Sequence, residues 1–224
     1  MGLLHKFGRL FREAHGIVFH DNYKDAQAYE ALVRTFWGRG LLGRHIADLF
    51  EVNVPVHDAH PYILDLGAGT GIISRELYKR GYKVCAGDIN ETVLEHIRLQ
   101  NQHIERVICD FNKPLPFAAN SFDGVTSVWA NRYIKKDGLY VMLDEVKRVL
   151  KPGGVFLWPI FPADTVMWKM KNGVGQITSA KTLAGIMREN GFASAEQLDD
   201  LFYRNMFSMK LPPHTVPVYI IARK

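Results

Sequence analysis

Three aspartates, Asp65, Asp88 and Asp110, each stand at the end of a short apolar run. The first of them opens the segment Asp65-Leu66-Gly67-Ala68-Gly69-Thr70-Gly71. Glycines at this density let backbone N–H groups come close to a ligand, because they lack Cβ and accept positive φ. Their spacing is Gly67-x-Gly69-x-Gly71, whereas a dinucleotide fingerprint needs its third glycine where Ile72 stands. A phosphate-gripping loop would end in Gly-Lys-Ser/Thr, and Gly71-Ile72-Ile73 does not supply it. The loop therefore suits a nucleoside-like ligand that has no pyrophosphate. Asp65 can order the loop or face a cationic amine. Asp88, 21 residues after Gly67, can accept both hydroxyls of a ribose. Asp110 can accept from an adenine amino group while Phe111 lies against the ring. Singly, each has a plainer reading: Asp88 as a helix cap, Asp110 as the start of the turn toward Asn112-Lys113-Pro114. Their convergence on one crevice carries the argument.

Such a crevice needs strands that end together. Tyr62 to Leu66 reads as a strand, Ile72 to Arg80 as a helix closed by Gly81, Lys83 to Gly87 as a strand and Glu91 to Gln100 as a helix. Val107 to Cys109 and Phe122 to Trp129 are further strands, followed by a helix over Leu139 to Leu150. Lys151-Pro152-Gly153-Gly154 reads as the turn that stops it, and Val155 to Trp158 as the next strand. Strands alternating with helices imply a doubly wound α/β sheet with parallel pairing. The rhythm breaks over Pro159 to Gln176, then Thr178 to Asn190 resumes a helix. Two last strands, near Leu198 to Tyr203 and Pro217 to Arg223, read as an antiparallel pair at the sheet edge. Upstream, Leu3, Phe7, Leu10, Phe11 and Ala14 have helical spacing. Further helices are expected over Lys24 to Trp37 and Leu41 to Phe50.

The 224 residues, 47% hydrophobic and 23% charged, fit a globular protein with a sizeable core. No run approaches the roughly 18 apolar residues of a membrane span. The start Met1-Gly2-Leu3-Leu4-His5-Lys6 lacks the features of a secretory signal, and Lys6 stands where a myristoylation motif carries Ser or Thr. Cys85 and Cys109 do not make a disulfide framework, so a reducing, cytoplasmic setting and buried, inert thiols are expected. Neither CxxC nor HExxH occurs, and no metal site is expected. The net charge of +5 is scattered rather than blocked, which disfavours nucleic acid as a partner.

Taken together, these segments resemble the class I S-adenosylmethionine-dependent methyltransferases, in the small-molecule and lipid branch with a type 11-like domain. The resemblance runs through Ile63 to Gly71, Gly87-Asp88-Ile89-Asn90, Cys109-Asp110, Leu115-Pro116-Phe117, Ser121 to Val125, and Glu145 to Gly154. It implies a seven-stranded Rossmann-like sheet of order 3-2-1-4-5-7-6 with the last strand antiparallel. Residues 1–60 would form an N-terminal helical lid or extension, and 61–224 the methyltransferase core. It further implies S-adenosyl-L-methionine as cofactor and S-adenosyl-L-homocysteine as product. Gly67, Ala68, Gly69, Thr70 and Gly71 would surround the methionine part, with Asp65 near its amino group. Asp88 would bind the ribose, Ile89 would pack on adenine, and Asp110 with Phe111 would hold the base. Trp129, Ala130 and Asn131 would lie beside the sulfonium.

Transfer from a sulfonium is an in-line displacement in which positioning supplies much of the rate, so no catalytic dyad is required. Candidates for a base are His20, Tyr23, Asn131 and Tyr133. Val128-Trp129-Ala130-Asn131 replaces the Asn/Asp-Pro-Pro-Tyr/Phe of amino-group methylases of adenine or glutamine. There is no Pro-Cys for cytosine C5 methylation, and the Lys-Asp-Lys-Glu set of ribose methylases is not evident. The aromatic and methionine side chains of Phe161 to Met170 suit an apolar acceptor pocket or plain core. The expected substrate is a small, partly apolar metabolite methylated at O, N or C, and a homodimer is compatible with the sequence. The alternatives are a non-catalytic cofactor-binding subunit or sensor, an N-terminal helix that meets a partner or membrane surface, and a nicotinamide oxidoreductase, which Ile72 disfavours.

Overall fold

In a computed structural model, the described residues are 26, 27, 30, 41–54, 60–128, 133–135, 138–160, 180–198 and 218–224. Their elements run α1 (Leu41–Asn53), β1 (Tyr62–Leu66), α2 (Ile72–Lys79), β2 (Lys83–Asp88), α3 (Glu91–Gln100) and β3 (Glu105–Ile108). There follow β4 (Phe122–Thr126), α4 (Gly138–Val149), β5 (Leu150–Ile160), α5 (Ala180–Glu189), β6 (Ser194–Leu198) and β7 (Val218–Arg223). Seven strands form one sheet in the order β3-β2-β1-β4-β5-β7-β6. The first five are parallel to one another, and β7 runs antiparallel to both β5 and β6. This is the expected order, with the expected reversed strand.

The period-2 alternation of β1 divides the core. Ile63 faces a cluster with Ile46 and Phe50 of α1, Ile73 and Leu77 of α2, and Leu94 and Ile97 of α3. Leu64 and Leu66 face the opposite cluster, built on Leu143 and Val146 of α4 and Leu183 and Met187 of α5. A parallel sheet buried on both faces explains why its strands read as near-continuous apolar runs. Because the chain leaves β1 for β2 on one side and returns to β4 on the other, a crevice opens beyond the carboxyl ends of β1 and β4.

Two segments differ from the sequence expectation. Lys151 to Gly154 is not a free turn but part of β5, with a register shift that pairs Leu150 with Phe122 and Val155 with Gly124. Gly153, at φ +76°, and Gly154 exchange backbone bonds with Lys224, so the glycines are absorbed into the sheet as an irregularity. The sixth strand lies at Ser194–Leu198, ahead of the expected Leu198 to Tyr203. Its sequence Ser-Ala-Glu-Gln-Leu has no apolar run, since only Ala195 is buried at this edge, and pairing with β7 fixes its place. Residues 1–25 and 161–179, with the expectations placed there, lie outside the described residues. Among the described residues no helix is long and apolar enough to cross a membrane.

Candidate functional site

The glycine loop leaves β1 at its buried end. Gly67, Gly69 and Gly71 all have positive φ, at 76°, 53° and 76°. Side chains there would be strained, and at Gly71 a Cβ would also stand 2.6 Å from Ile97 Cγ1. The loop is fastened to the next strand: the amides of Gly67 and Ala68 both donate to the Gly87 carbonyl, at 2.7 and 3.0 Å. Gly71 then begins α2 with no side-chain cap. Beneath it Asp65 is fully buried and accepts the Ser74 hydroxyl at 2.6 Å. Burial pushes its carboxyl up to about 6, against the Ser74 hydrogen bonds that pull it down.

Asp88 closes β2 and bridges two elements. One of its oxygens accepts the Gly69 amide at 2.8 Å and the other the Asn90 amide at 2.9 Å. An ionised carboxylate offers about four acceptor positions, so both oxygens keep capacity for a diol. Burial raises its pKa while these amides oppose the rise. It is Asn90, not Asp88, that caps α3, by accepting from Thr92. Between them Ile89 is 67% exposed, a large apolar side chain held in the open at the crevice. Asp110 follows β3 and accepts from both the amide and the side chain of Asn112, at 2.9 and 3.0 Å. Burial raises its pKa, but the Asn112 bonds and nearby lysines outweigh this and leave it lowered. Phe111 is partly buried and packs on the core rather than standing free.

Asn112 also reaches the segment after β4, donating to the Tyr133 carbonyl at 3.2 Å and accepting the Lys135 amide at 2.8 Å. Tyr133 itself is 40% exposed. His20, Tyr23, Trp129 and Asn131 lie outside the described residues. At the carboxyl ends of β4 and β5, Thr126 Oγ1, Ser127 Oγ and Trp158 Nε1 are buried without a hydrogen-bond partner, as is Thr70 Oγ1 in the loop. Unpaired buried donors are costly and are a feature of sites completed by a ligand. No sequence signal marked Thr126, Ser127 or Trp158, because apolar neighbours make them read as ordinary strand residues.

Several motif residues prove to be fasteners. Asp123 accepts the Tyr62 amide and the Lys151 ammonium, each at 2.8 Å, joining the starts of β1 and β4 to β5. Glu145 accepts the Leu115 amide, and Arg148 donates to the Phe117 and Leu115 carbonyls, pinning the loop before β4 onto α4. Burial pushes the Cys85 and Cys109 thiols up to about 12, so neither is a nucleophile near neutral pH. Among the described residues no group of three or more His, Cys, Asp or Glu could hold a metal ion.

Residues 64–158 match the family model described as a methyltransferase domain. The chain is 38% identical over 160 residues to the ubiquinone/menaquinone biosynthesis C-methyltransferase UbiE of Desulfotalea psychrophila, across 62% of this chain and 63% of that protein. It is 37% identical over 97 residues to a malonyl-[acyl-carrier protein] O-methyltransferase of Erwinia pyrifoliae, across 43% of this chain and 36% of that one. It thus spans less than two thirds of the length of either relative. Its fold is similar to the methyltransferase structure solved in complex with the Haloferax volcanii Trm112 activator, with a TM-score of 0.65 and 20% identity over 87% of this chain and 95% of that one. Residues 64–158 are thus similar to methyltransferase domains, and the fold around them is similar to that of a methyltransferase.

Proposed function

We propose that the chain uses S-adenosylmethionine to methylate a small, partly apolar metabolite at oxygen, nitrogen or carbon, by in-line displacement. The observation that supports this most is the Asp88 bridge: a carboxylate tied to the glycine loop, with acceptor capacity on both oxygens, beside exposed Ile89. When bound, S-adenosylmethionine supplies an electrophilic methyl group on a sulfonium. Gly67, Ala68, Gly69, Thr70 and Gly71 surround its methionine part, with Asp65 beneath the amino group. Asp88 accepts from the ribose, Ile89 packs on the adenine, and Asp110 and Phe111 bound the base. Trp129 faces the reacting end in this reading. The unpaired Ser127 and Trp158 supply donors where strands β4 and β5 end.

The chain's task is to orient and dehydrate the reacting groups, and a base is needed only if the acceptor is a poorly acidic hydroxyl or a protonated amine. His20, Tyr23, Asn131 and Tyr133 remain the candidates for that role. Residues 1–60 form a helical extension over a core of 61–224, in a cytoplasmic protein with a homodimer as one form it can take. The two relatives, one named for a C-methyl and one for an O-methyl transfer, support the small-molecule class and differ in the atom methylated.

Incubation with methyl-tritiated S-adenosylmethionine and a fractionated metabolite extract tests the reading. Label is expected in a small, moderately apolar product. Transfer confined to nucleic acid or to protein side chains, with none to a free or carrier-bound small group, contradicts it. Binding of S-adenosylhomocysteine with no transfer to any fraction favours the non-catalytic subunit instead.

A further inference from the structure

Arg75 sits in the first turn of α2 and is nearly buried. A cation there opposes the helix dipole and has given up its hydration, so its place needs a reason. Its guanidinium reaches two ways. One terminal nitrogen donates to the Thr70 carbonyl at 2.7 Å, and the other to Glu30 Oε1 at 2.6 Å. The second oxygen of Glu30 lies 3.0 Å from His96 Nε2. All three residues are at most 9% exposed.

Glu30 belongs to a helical stretch upstream of the matched domain, where Ala26, one turn earlier, is buried beside it and Gln27 is exposed. Its carboxylate therefore clamps α2 to α3, the helices that begin at the glycine loop and just after Asp88. The peptide held by Arg75 is informative. Its carbonyl, from Thr70, points to the guanidinium, while its N–H, from Gly71, donates to the Ala68 carbonyl at 2.9 Å. Both ends of the Thr70–Gly71 peptide are thus fixed, at the position where φ of Gly71 is +76° and a flipped peptide would be easily reached.

We propose that Glu30 is a positioning residue of the methyl-donor site: through Arg75 it holds the Thr70–Gly71 peptide in its binding orientation, so donor affinity depends on a residue outside the matched domain. The inference rests on the reading of the glycine loop as that site. It requires no contact between Glu30 and any ligand. Arginine's planar fork holds the carboxylate and the carbonyl in fixed directions relative to each other, which a lysine ammonium on its flexible stem would not.

Calorimetric titration with S-adenosylhomocysteine of the wild type, Glu30→Gln, Arg75→Lys, the double variant and Asp88→Ala tests it, each below its own melting temperature. Both single variants are expected to weaken binding by roughly tenfold, within the range over which linked groups alter a site's affinity. The double variant should lose no more than the worse single one, because Glu30 acts through Arg75. Backbone amide exchange over residues 67–75 should quicken in both single variants without ligand. If one single variant does not fold, the other decides by the same two measurements. Lower melting temperatures with binding within twofold of wild type, or losses that multiply in the double variant, overturn the proposal. If the wild type itself does not bind, the donor-site reading falls. If only Asp88→Ala loses binding, that reading stands and the positioning role falls.

Discussion

At the scale of single residues, Asp65 shows how burial sets the chemistry of the crevice. Its folded carboxyl lies at about 6, against an ordinary value of 3.8. The folded state therefore holds the proton more tightly than the unfolded one, and stability from this group falls as pH rises from 4 to 6. Above that the penalty is complete, on the order of 3 kcal/mol. Asn in its place can still accept the Ser74 hydroxyl but cannot ionise. Denaturation of both proteins across this window should show wild type losing ground to Asp65→Asn as pH rises, whereas a constant difference would count against the burial account. A cationic ligand group beside Asp65 draws its proton off, so S-adenosylhomocysteine should bind wild type more weakly at pH 5 than at pH 7.5. An Asp65→Asn variant should show a flatter profile, and equal slopes would remove Asp65 from the site. The three acids were readable from the sequence because each ends an apolar run. Glu30, Arg75 and His96 were not, because their contacts join positions 45 and 66 residues apart and no spacing rule links them.

Among the elements, the turn from β1 into α2 carries the strongest local constraint. Gly71 combines positive φ with a wall formed by Ile97, while Gly153 has the same φ of 76° and open space around it. Gly153→Ala should therefore cost only backbone strain, about 1–2 kcal/mol. Gly71→Ala should cost that and about 1–3 kcal/mol more for overpacking. Chemical denaturation of the two variants compares them directly, and equal losses would contradict the packing argument. The strands and helices that bound the crevice were legible because burial on both faces imposes apolar runs and helical periods. Edge strand β6 was misplaced for the opposite reason: half-exposed residues carry little pattern, and cross-strand pairing with β7 decides its register.

For the whole molecule, the sheet order sets β1, which leads into the glycine loop, beside β4, which ends at Thr126 just before Ser127, with β5 and its Trp158 next in line. In the proposed reading the donor half of the crevice is written in glycines and acids whose types announce their use. The proposed acceptor half would rest on apolar and hydroxyl residues that serve equally well as core, which is why the sequence points to the donor more sharply than to the acceptor. The central claim concerns the donor, and one titration addresses it most directly. Calorimetry should show one S-adenosylhomocysteine bound per chain, no binding of NAD, and at least tenfold weaker binding, about 1.4 kcal/mol, in Asp88→Ala. Binding of NAD in place of S-adenosylhomocysteine, or an Asp88→Ala variant that binds as the wild type does, would contradict it.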